Sequence, residues 1–394
     1  MALFGQSALT AREKADLAFR LAVVTPFQLP LNVIRCLIIA KSRCIPLLPY
    51  ATTGVMRTIL QVLQPRQVQA LVPSCIDVYT SWIPAKQKAL PALGLRLDTE
   101  SVPGSPDASL FWIGNRHTAK KFVLHFHGGA FYVPLQAGHL EWCLQAYVQA
   151  CNTSPSPGES DVAVAVLDYS LAPAHVYPTP LIQAINALQH LLTIPNCTPS
   201  TLMIGGDSAG GTLAAQLLGH LLHPYPHPTT APIALSEPLA GAFLVSPWLS
   251  GSTAGGSFDT NAYIDVVTAD IMAGVTQLNF SAATPWPAER AAGNGWALPL
   301  DVEAKWLDGL ERVVGSVYVT AGEQEVLRDQ AVEYVKRARE RAPGVEVRLD
   351  LFADQAHDFL PGEAQAGEGG PAMTGMKEWA RGVFGPRDGL AGGK

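Results

Sequence analysis

From residue 97 onward the chain alternates short apolar runs with longer amphipathic stretches, and that rhythm leaves few folds open. The runs are Leu97–Val102, Ser109–Ile113, Phe122–Phe126, Val162–Asp168, Thr201–Ile204, Ala240–Val245, Ser316–Thr320 and Val345–Phe352. Several are apolar throughout, as strands covered on both faces must be. Helical stretches lie between or after them: Leu140–Ala150, Pro180–Leu192, Gly210–Leu222, Val326–Arg341 and Ala372–Val383. Pro180 stands near a helix start, where a fixed φ and a missing N–H cost nothing. The pattern predicts an α/β protein whose mainly parallel sheet carries helices on both faces.

Two stretches break the rhythm. Residues 1–95 are helical in character and precede the first strand, so they are expected to form a cap or lid. Residues 250–312 run from a Gly- and Ser-rich start through Trp286, Trp296 and Trp306. They are expected to be a cap insertion within a catalytic domain spanning 96–385. The Gly-rich residues 386–394 read as a flexible tail.

Composition excludes several function classes. Of 394 residues 48% are apolar and 15% charged, which describes a globular chain with a large core. A net charge of −6, with no basic cluster interleaved with aromatics, argues against nucleic-acid binding. Six cysteines (Cys36, Cys44, Cys75, Cys143, Cys151, Cys197) form no CxxC pair, so buried reduced thiols are expected. Nothing in the sequence argues for a Cys143–Cys151 disulfide. No His, Asp or Glu cluster has metal-ligand spacing, so neither a metal nor another cofactor is expected.

Glu13 and Asp16 fall where a signal peptide would be basic, and no small-residue cleavage site follows. The expectation is a cytoplasmic protein without a cleavable signal. Leu21–Ala40 is apolar but interrupted by Pro26, Pro30 and Arg35, which makes it a poor membrane span. It reads as a lid wall, with peripheral membrane contact as a second reading. Sequons at Asn152, Asn196 and Asn279 weigh slightly toward a lumenal setting.

Four local patterns carry chemistry. Gly205-Gly206-Asp207-Ser208-Ala209-Gly210-Gly211 joins an expected strand to an expected helix. This G-x-S-x-G arrangement is a nucleophile elbow, a sharp turn that exposes a serine beside a helix N-terminus. His127-Gly128-Gly129-Ala130-Phe131 follows another strand. Its Gly128 and Gly129 N–H groups, with that of Ala209, are candidates for an oxyanion hole. His127 reads as orienting this loop, and His125 as a buried histidine with its hydrogen bonds satisfied. Beyond Ser208 lie four histidines, and His220, His223 and His227 crowd the far end of the elbow helix. His357, in Asp354-Gln355-Ala356-His357-Asp358-Phe359, follows the last strand, where open α/β sheets place functional loops. It is the candidate base. Gly322-Glu323-Gln324-Glu325-Val326-Leu327-Arg328-Asp329 offers three candidate acids.

Taken together, GDSAGG, HGGAF, Asp168-Tyr169-Ser170-Leu171-Ala172-Pro173, GEQEVLRD and DQAHDF resemble the hormone-sensitive-lipase-like branch of the α/β hydrolases, over roughly residues 95–385. The resemblance places the acid three residues after the glycine of a G-x-x-D-P-L-x-D pattern, which is Glu325 here. Asp329 matches the later, non-catalytic aspartate. Where that family commonly carries Arg and Glu, this chain has Ser170 and Ala174, so a structural salt bridge near the elbow is expected to be missing. The resemblance implies a metal-free Ser208–His357–Glu325 esterase for a small hydrophobic ester of short to medium acyl length. The chain's style is similar to fungal members that deacetylate sterols or tailor secondary metabolites. Two alternatives use the same scaffold: acyl transfer or cyclisation on a polyketide-like substrate, and a non-catalytic ligand-binding protein. The second resembles the plant gibberellin receptor, which lacks the histidine that this chain has at His357.

Overall fold

The computed structural model describes residues 8–152, 160–367 and 369–385; the expected tail at 386–394 lies outside them. Eight strands form one sheet: β1 (Thr99–Val102), β2 (Ser105–Ile113), β3 (Lys121–Phe126), β4 (Val162–Asp168), β5 (Leu202–Asp207), β6 (Gly241–Val245), β7 (Ser316–Gly322) and β8 (Glu346–Phe352). Their order is β1-β2-β4-β3-β5-β6-β7-β8. From β4 to β8 every neighbouring pair is parallel, while β1 and β2 are antiparallel at one edge. Each expected strand is present, and in the central ones side chains point alternately into two apolar layers. Leu124, Ala165, Ile204 and Leu244 enter one layer; Val123, Val164, Met203 and Phe243 enter the other.

The expected boundary at residue 95 falls too late. Helix Cys75–Ala89 buries Val78, Tyr79, Trp82 and Ile83 in the layer that holds Phe111 and Trp142. Tyr79 donates its hydroxyl to the Trp112 carbonyl at 2.7 Å, and Trp82 Nε1 donates to Glu141 at 2.8 Å. This helix covers the sheet instead of capping it. Residues 250–312 hold the helices Ser257–Thr260, Ala269–Asn279 and Trp286–Ala291, followed by short 3₁₀ turns.

Pro26 and Pro30 do not interrupt the N-terminal apolar stretch as the sequence suggests. Ala11–Ser42 is one 32-residue helix, long and apolar enough by length and composition to cross a membrane. A wide i→i−5 turn at Arg20–Val24 loosens the backbone just before Pro26, where the ring would meet a preceding carbonyl. The helix folds back on Leu47–Val62, and the two approach closely at Gly54, where a Cβ would lie 2.6 Å from the Val33 Cα.

All six cysteines are free; five are buried and Cys44 is exposed. The sequon at Asn279 is buried, its amide donating to the carbonyls of Ala130 and Val275, so the folded chain presents no acceptor there.

Candidate active site

Strand β5 ends at Asp207 and helix Ala209–Leu222 starts two residues later, so Ser208 alone makes the turn. It does so at φ 48° and ψ −115°, a backbone conformation that a side chain opposes. Two hydrogen bonds hold it there. The Ser208 N–H donates to the Val245 carbonyl at 2.8 Å, and its carbonyl accepts from the Thr212 N–H at 2.9 Å. Gly206 and Gly210 admit the neighbouring strand end: a Cβ on either would lie about 2 Å from the Phe126 carbonyl oxygen, at 1.9 and 2.0 Å.

His357 sits on the loop after β8, with Nε2 2.9 Å from Ser208 Oγ and Nδ1 3.3 Å from Glu325 Oε2. With the proton on Nδ1, the ring donates to Glu325 and turns a lone pair toward the serine hydroxyl. All three side chains are buried. Of the three acids in the GEQEVLRD segment only Glu325 reaches the imidazole. Glu323 pairs with Arg328. Asp329 stands in the first turn of helix Arg328–Arg341, accepting from the Ser257 N–H at 2.7 Å and pairing with Arg328.

The loop after β3 turns through positive φ at Gly129, Ala130 and Phe131. Its carbonyls are fastened outward: Ala130 to the Asn279 amide at 3.2 Å, Phe131 to the Ala172 N–H at 2.8 Å. Gly128 lies directly against the elbow, where a Cβ would meet Asp207 Oδ2 at 2.1 Å. The N–H groups of Gly128, Gly129 and Ala209 donate to no acceptor among the described residues. His127 orients this loop as expected: Nδ1 lies 2.7 Å from the Gly128 carbonyl, and the ring stacks on Tyr169 at 4.4 Å. Tyr169 also donates its hydroxyl to the His127 carbonyl at 2.7 Å.

His125 departs from expectation. It is fully buried, but among the described residues neither ring nitrogen has a partner. It packs as an aromatic, edge-on to Trp142 at 4.7 Å, and burial lowers its pKa to about 3. Strand β3 is flanked on both sides, so this side chain enters a largely apolar layer, with His139 as its polar neighbour at a ring separation of 6.4 Å. Ser170 is held by Gln183 through two neutral hydrogen bonds of 2.8 and 2.7 Å.

Three ionisable residues at this end of the sheet were not singled out by sequence. Asp265, from the 250–312 segment, accepts from the His357 N–H at 2.8 Å through Oδ1 and from the Val326 N–H at 2.7 Å through Oδ2. One carboxylate thereby fixes the base and the residue beside Glu325. Burial raises its pKa to about 6, against the opposing pull of His357. Its only signal in sequence is a charge inside the apolar run Ile264–Val267. His139 and Asp358 surround Asp207, with His139 Nε2 3.1 Å from Asp207 Oδ2. Burial disfavours every charge here, but the ion pair outweighs it, raising His139 to about 9 and holding Asp207 below the ordinary carboxylate range. Burial first, then Asp207, push Asp358 well up, so it keeps its proton. Side-chain ligand atoms of His139, Asp207 and Asp358 lie within 4.8 Å of one another, which makes them the residues able to hold a cation. The fold assembles them from three distant segments, so no spacing in the sequence reveals them. An ion pair and a neutral acid already balance the charge among them.

Burial also opposes charge on His357, but Glu325, then Asp358 and Asp265, outweigh it and bring the imidazole to about 9. An aromatic cluster is buried next to the elbow. Phe131, Trp248 and Phe280 have centroids 5.2–6.4 Å apart, and the Trp248 N–H approaches the Ser208 carbonyl at 3.5 Å. A cavity of about 330 Å³ opens beside Asp329 and Arg337, but Ser208 does not line it.

Residues 123–361, more than half of the chain, match a family model described as the alpha/beta hydrolase fold. The chain belongs to the α/β-hydrolase family. This hydrolase is 27% identical over 267 residues to an esterase from Acinetobacter venetianus, covering 67% of the chain and 75% of that protein. It is 27% identical over 137 residues to the probable carboxylesterase 6 of Arabidopsis thaliana, covering 33% of the chain and 36% of the relative. Among solved structures, an esterase from the bacterial hormone-sensitive lipase (HSL) family superposes with a TM-score of 0.58 at 24% identity. That match covers 84% of the hydrolase and 97% of the other chain, and it shows the shared fold. The two relatives are bacterial and plant, and neither carries the fungal likeness expected from the sequence. The hydrolase is an enzyme of the esterase type.

Proposed function

We propose that the hydrolase cleaves carboxylic esters by acylation and deacylation of Ser208. The observation that carries this reading is the unbroken chain of contacts from Ser208 Oγ through His357 to Glu325. The strained elbow presents Oγ to the ester carbonyl while neutral His357 Nε2 takes its proton. Negative charge then develops on the carbonyl oxygen, and the N–H groups of Gly128, Gly129 and Ala209 are the donors that receive it. Imidazolium, stabilised by Glu325, returns the proton to the departing alkoxide as the C–O bond breaks. Water repeats the sequence on the acyl-enzyme, releasing the acid and restoring Ser208. The rings of Phe131, Trp248 and Phe280 support a hydrophobic ester with an acyl group of short to medium length.

The test is a panel of p-nitrophenyl esters of increasing acyl length, with a fluorophosphonate probe. Ser208→Ala should lower kcat on the order of 10⁶-fold and abolish labelling, with little change in melting temperature. A fully inhibited enzyme whose Ser208 peptide is unmodified by mass spectrometry would overturn the assignment. Product analysis with an added alcohol separates hydrolysis from acyl transfer: new ester in place of free acid would move the reading to a transferase.

A further inference from the structure

The helix Ala11–Ser42 combines length with an apolar stretch, and only 11% of its most apolar 18 residues are buried. Phe27 is 77% exposed and Ile38 63%, with Phe19 and Ile34 beside them on the outward face. Leu48, from the partner helix Leu47–Val62, is 80% exposed, and Val55 and Met56 of the same helix are exposed as well. Scattered apolar side chains are normal on a soluble surface, but a continuous face of this size is not.

Charge frames this face. Between Arg20 and Arg35 the helix carries no charged residue. Beyond that stretch the exposed charges are basic at both ends, Arg12 and Lys14 on one side and Arg35 and Lys41 on the other. The two acids of the helix are engaged by the protein itself: Glu13 pairs with Arg66, and Asp16 with Arg20 and Gln67. An apolar strip flanked by cations is the complement of a bilayer surface with anionic headgroups.

The inner edge decides the orientation. Asn32 donates to Thr58 and Gln61 at 3.0 and 2.8 Å, Arg20 donates to the Val62 carbonyl at 2.6 Å, and Cys36 is buried against Ile264. These ties run along the helix. Crossing a bilayer would break them and leave polar groups unpartnered in hydrocarbon, where no water can replace the lost partners.

We infer that this face docks on an anionic phospholipid bilayer with the helix lying in the plane of the interface. The inference is independent of the esterase reading. It places the membrane on the side of the base-bearing loop, since Tyr50 of the partner helix donates to the Asp354 carbonyl at 3.1 Å.

The test is flotation of the full chain with vesicles of phosphatidylcholine alone or with phosphatidylserine. Binding should be stronger with phosphatidylserine and fall with added salt. The triple variant Phe27→Ser, Ile34→Ser, Leu48→Ser should lower the bound fraction about tenfold or more, with turnover of a soluble ester unchanged. For orientation, a membrane-impermeant maleimide is applied to vesicle-bound protein at the exposed native Cys44 and, in a second preparation, at Ala11→Cys. Labelling at both positions from outside is the expected result. Protection of either one would overturn the in-plane orientation in favour of a span. Absence of flotation, with a concentration-dependent dimer that the triple variant disperses, would overturn the lipid proposal in favour of a second copy of the chain.

Discussion

Two regions of the hydrolase invert the usual arrangement, in opposite senses. At the ends of β5, β7 and β8, five ionisable side chains (His139, Asp207, Asp265, Glu325 and His357) are taken out of water and a sixth, Asp358, is half-buried. Along Ala11–Ser42, large apolar side chains are left in it. The buried charges are tolerated because almost every one is answered by a counter-charge, a proton or a backbone N–H. The exposed face has no such answer within the chain. A polar cluster completed internally does chemistry on a small molecule; an apolar face left incomplete needs a partner. Substitutions in the first region should therefore be costly, and in the second nearly silent until a surface is supplied.

The largest expected effect is at Glu325. Glu325→Gln keeps the shape but removes the charge that favours imidazolium, so kcat should fall by about 10⁴. Asp329→Asn should leave kcat near wild type. The pH profile adds a sign. With His357 as the proposed neutral base, activity should rise as it deprotonates, and Glu325 holds that step near 9. The limb should therefore move to lower pH in Glu325→Gln. Near-wild-type turnover in that variant, beside a collapse in Asp329→Asn, would exchange the two roles.

His139 comes next. His139→Gln leaves Asp207 buried without its counter-charge, which should cost about 3–5 kcal/mol by chemical denaturation. Asp358→Asn should cost far less, because an amide N–H donates where the protonated acid does. In the parent enzyme the ion pair's contribution should fade as pH rises through about 9, where His139 loses its proton, and as pH falls through the lowered pKa of Asp207. His139→Gln should flatten that dependence. Loss of stability on chelation would instead assign the cluster to a cation.

The smallest effect belongs to the apolar face. Leu48→Ser removes a side chain that touches little, and should change stability by no more than about 0.5 kcal/mol. A loss of several kcal/mol would mean that the face packs against protein after all.

The legible parts of the molecule were those written in consecutive residues. Strands such as Val162–Asp168 show themselves as unbroken apolar runs because both faces are covered. Ser208 and the Gly128–Gly129 turn stand in short patterns whose backbone demands are local. Glu325 was separable from Asp329 only through the family resemblance, since both follow the same strand. Asp265 and the His139–Asp358 pair were illegible for a different reason. Their partners lie 60 or more residues away, and a lone Asp or His in an apolar segment does not name the group it will meet. The proline-bearing helix misled because propensity counts a proline as a break, while one widened turn at Arg20–Val24 absorbs it.

Asp265 belongs to the 250–312 segment, apart from the loops that carry Glu325 and His357, yet its two oxygens reach the backbone at His357 and Val326. The 250–312 segment is consequently not a freely exchangeable module. Grafting a different one onto this scaffold to change ester preference would remove the rivet that seats the base. A chimera should recover turnover only if the incoming segment brings a carboxylate to the same spot.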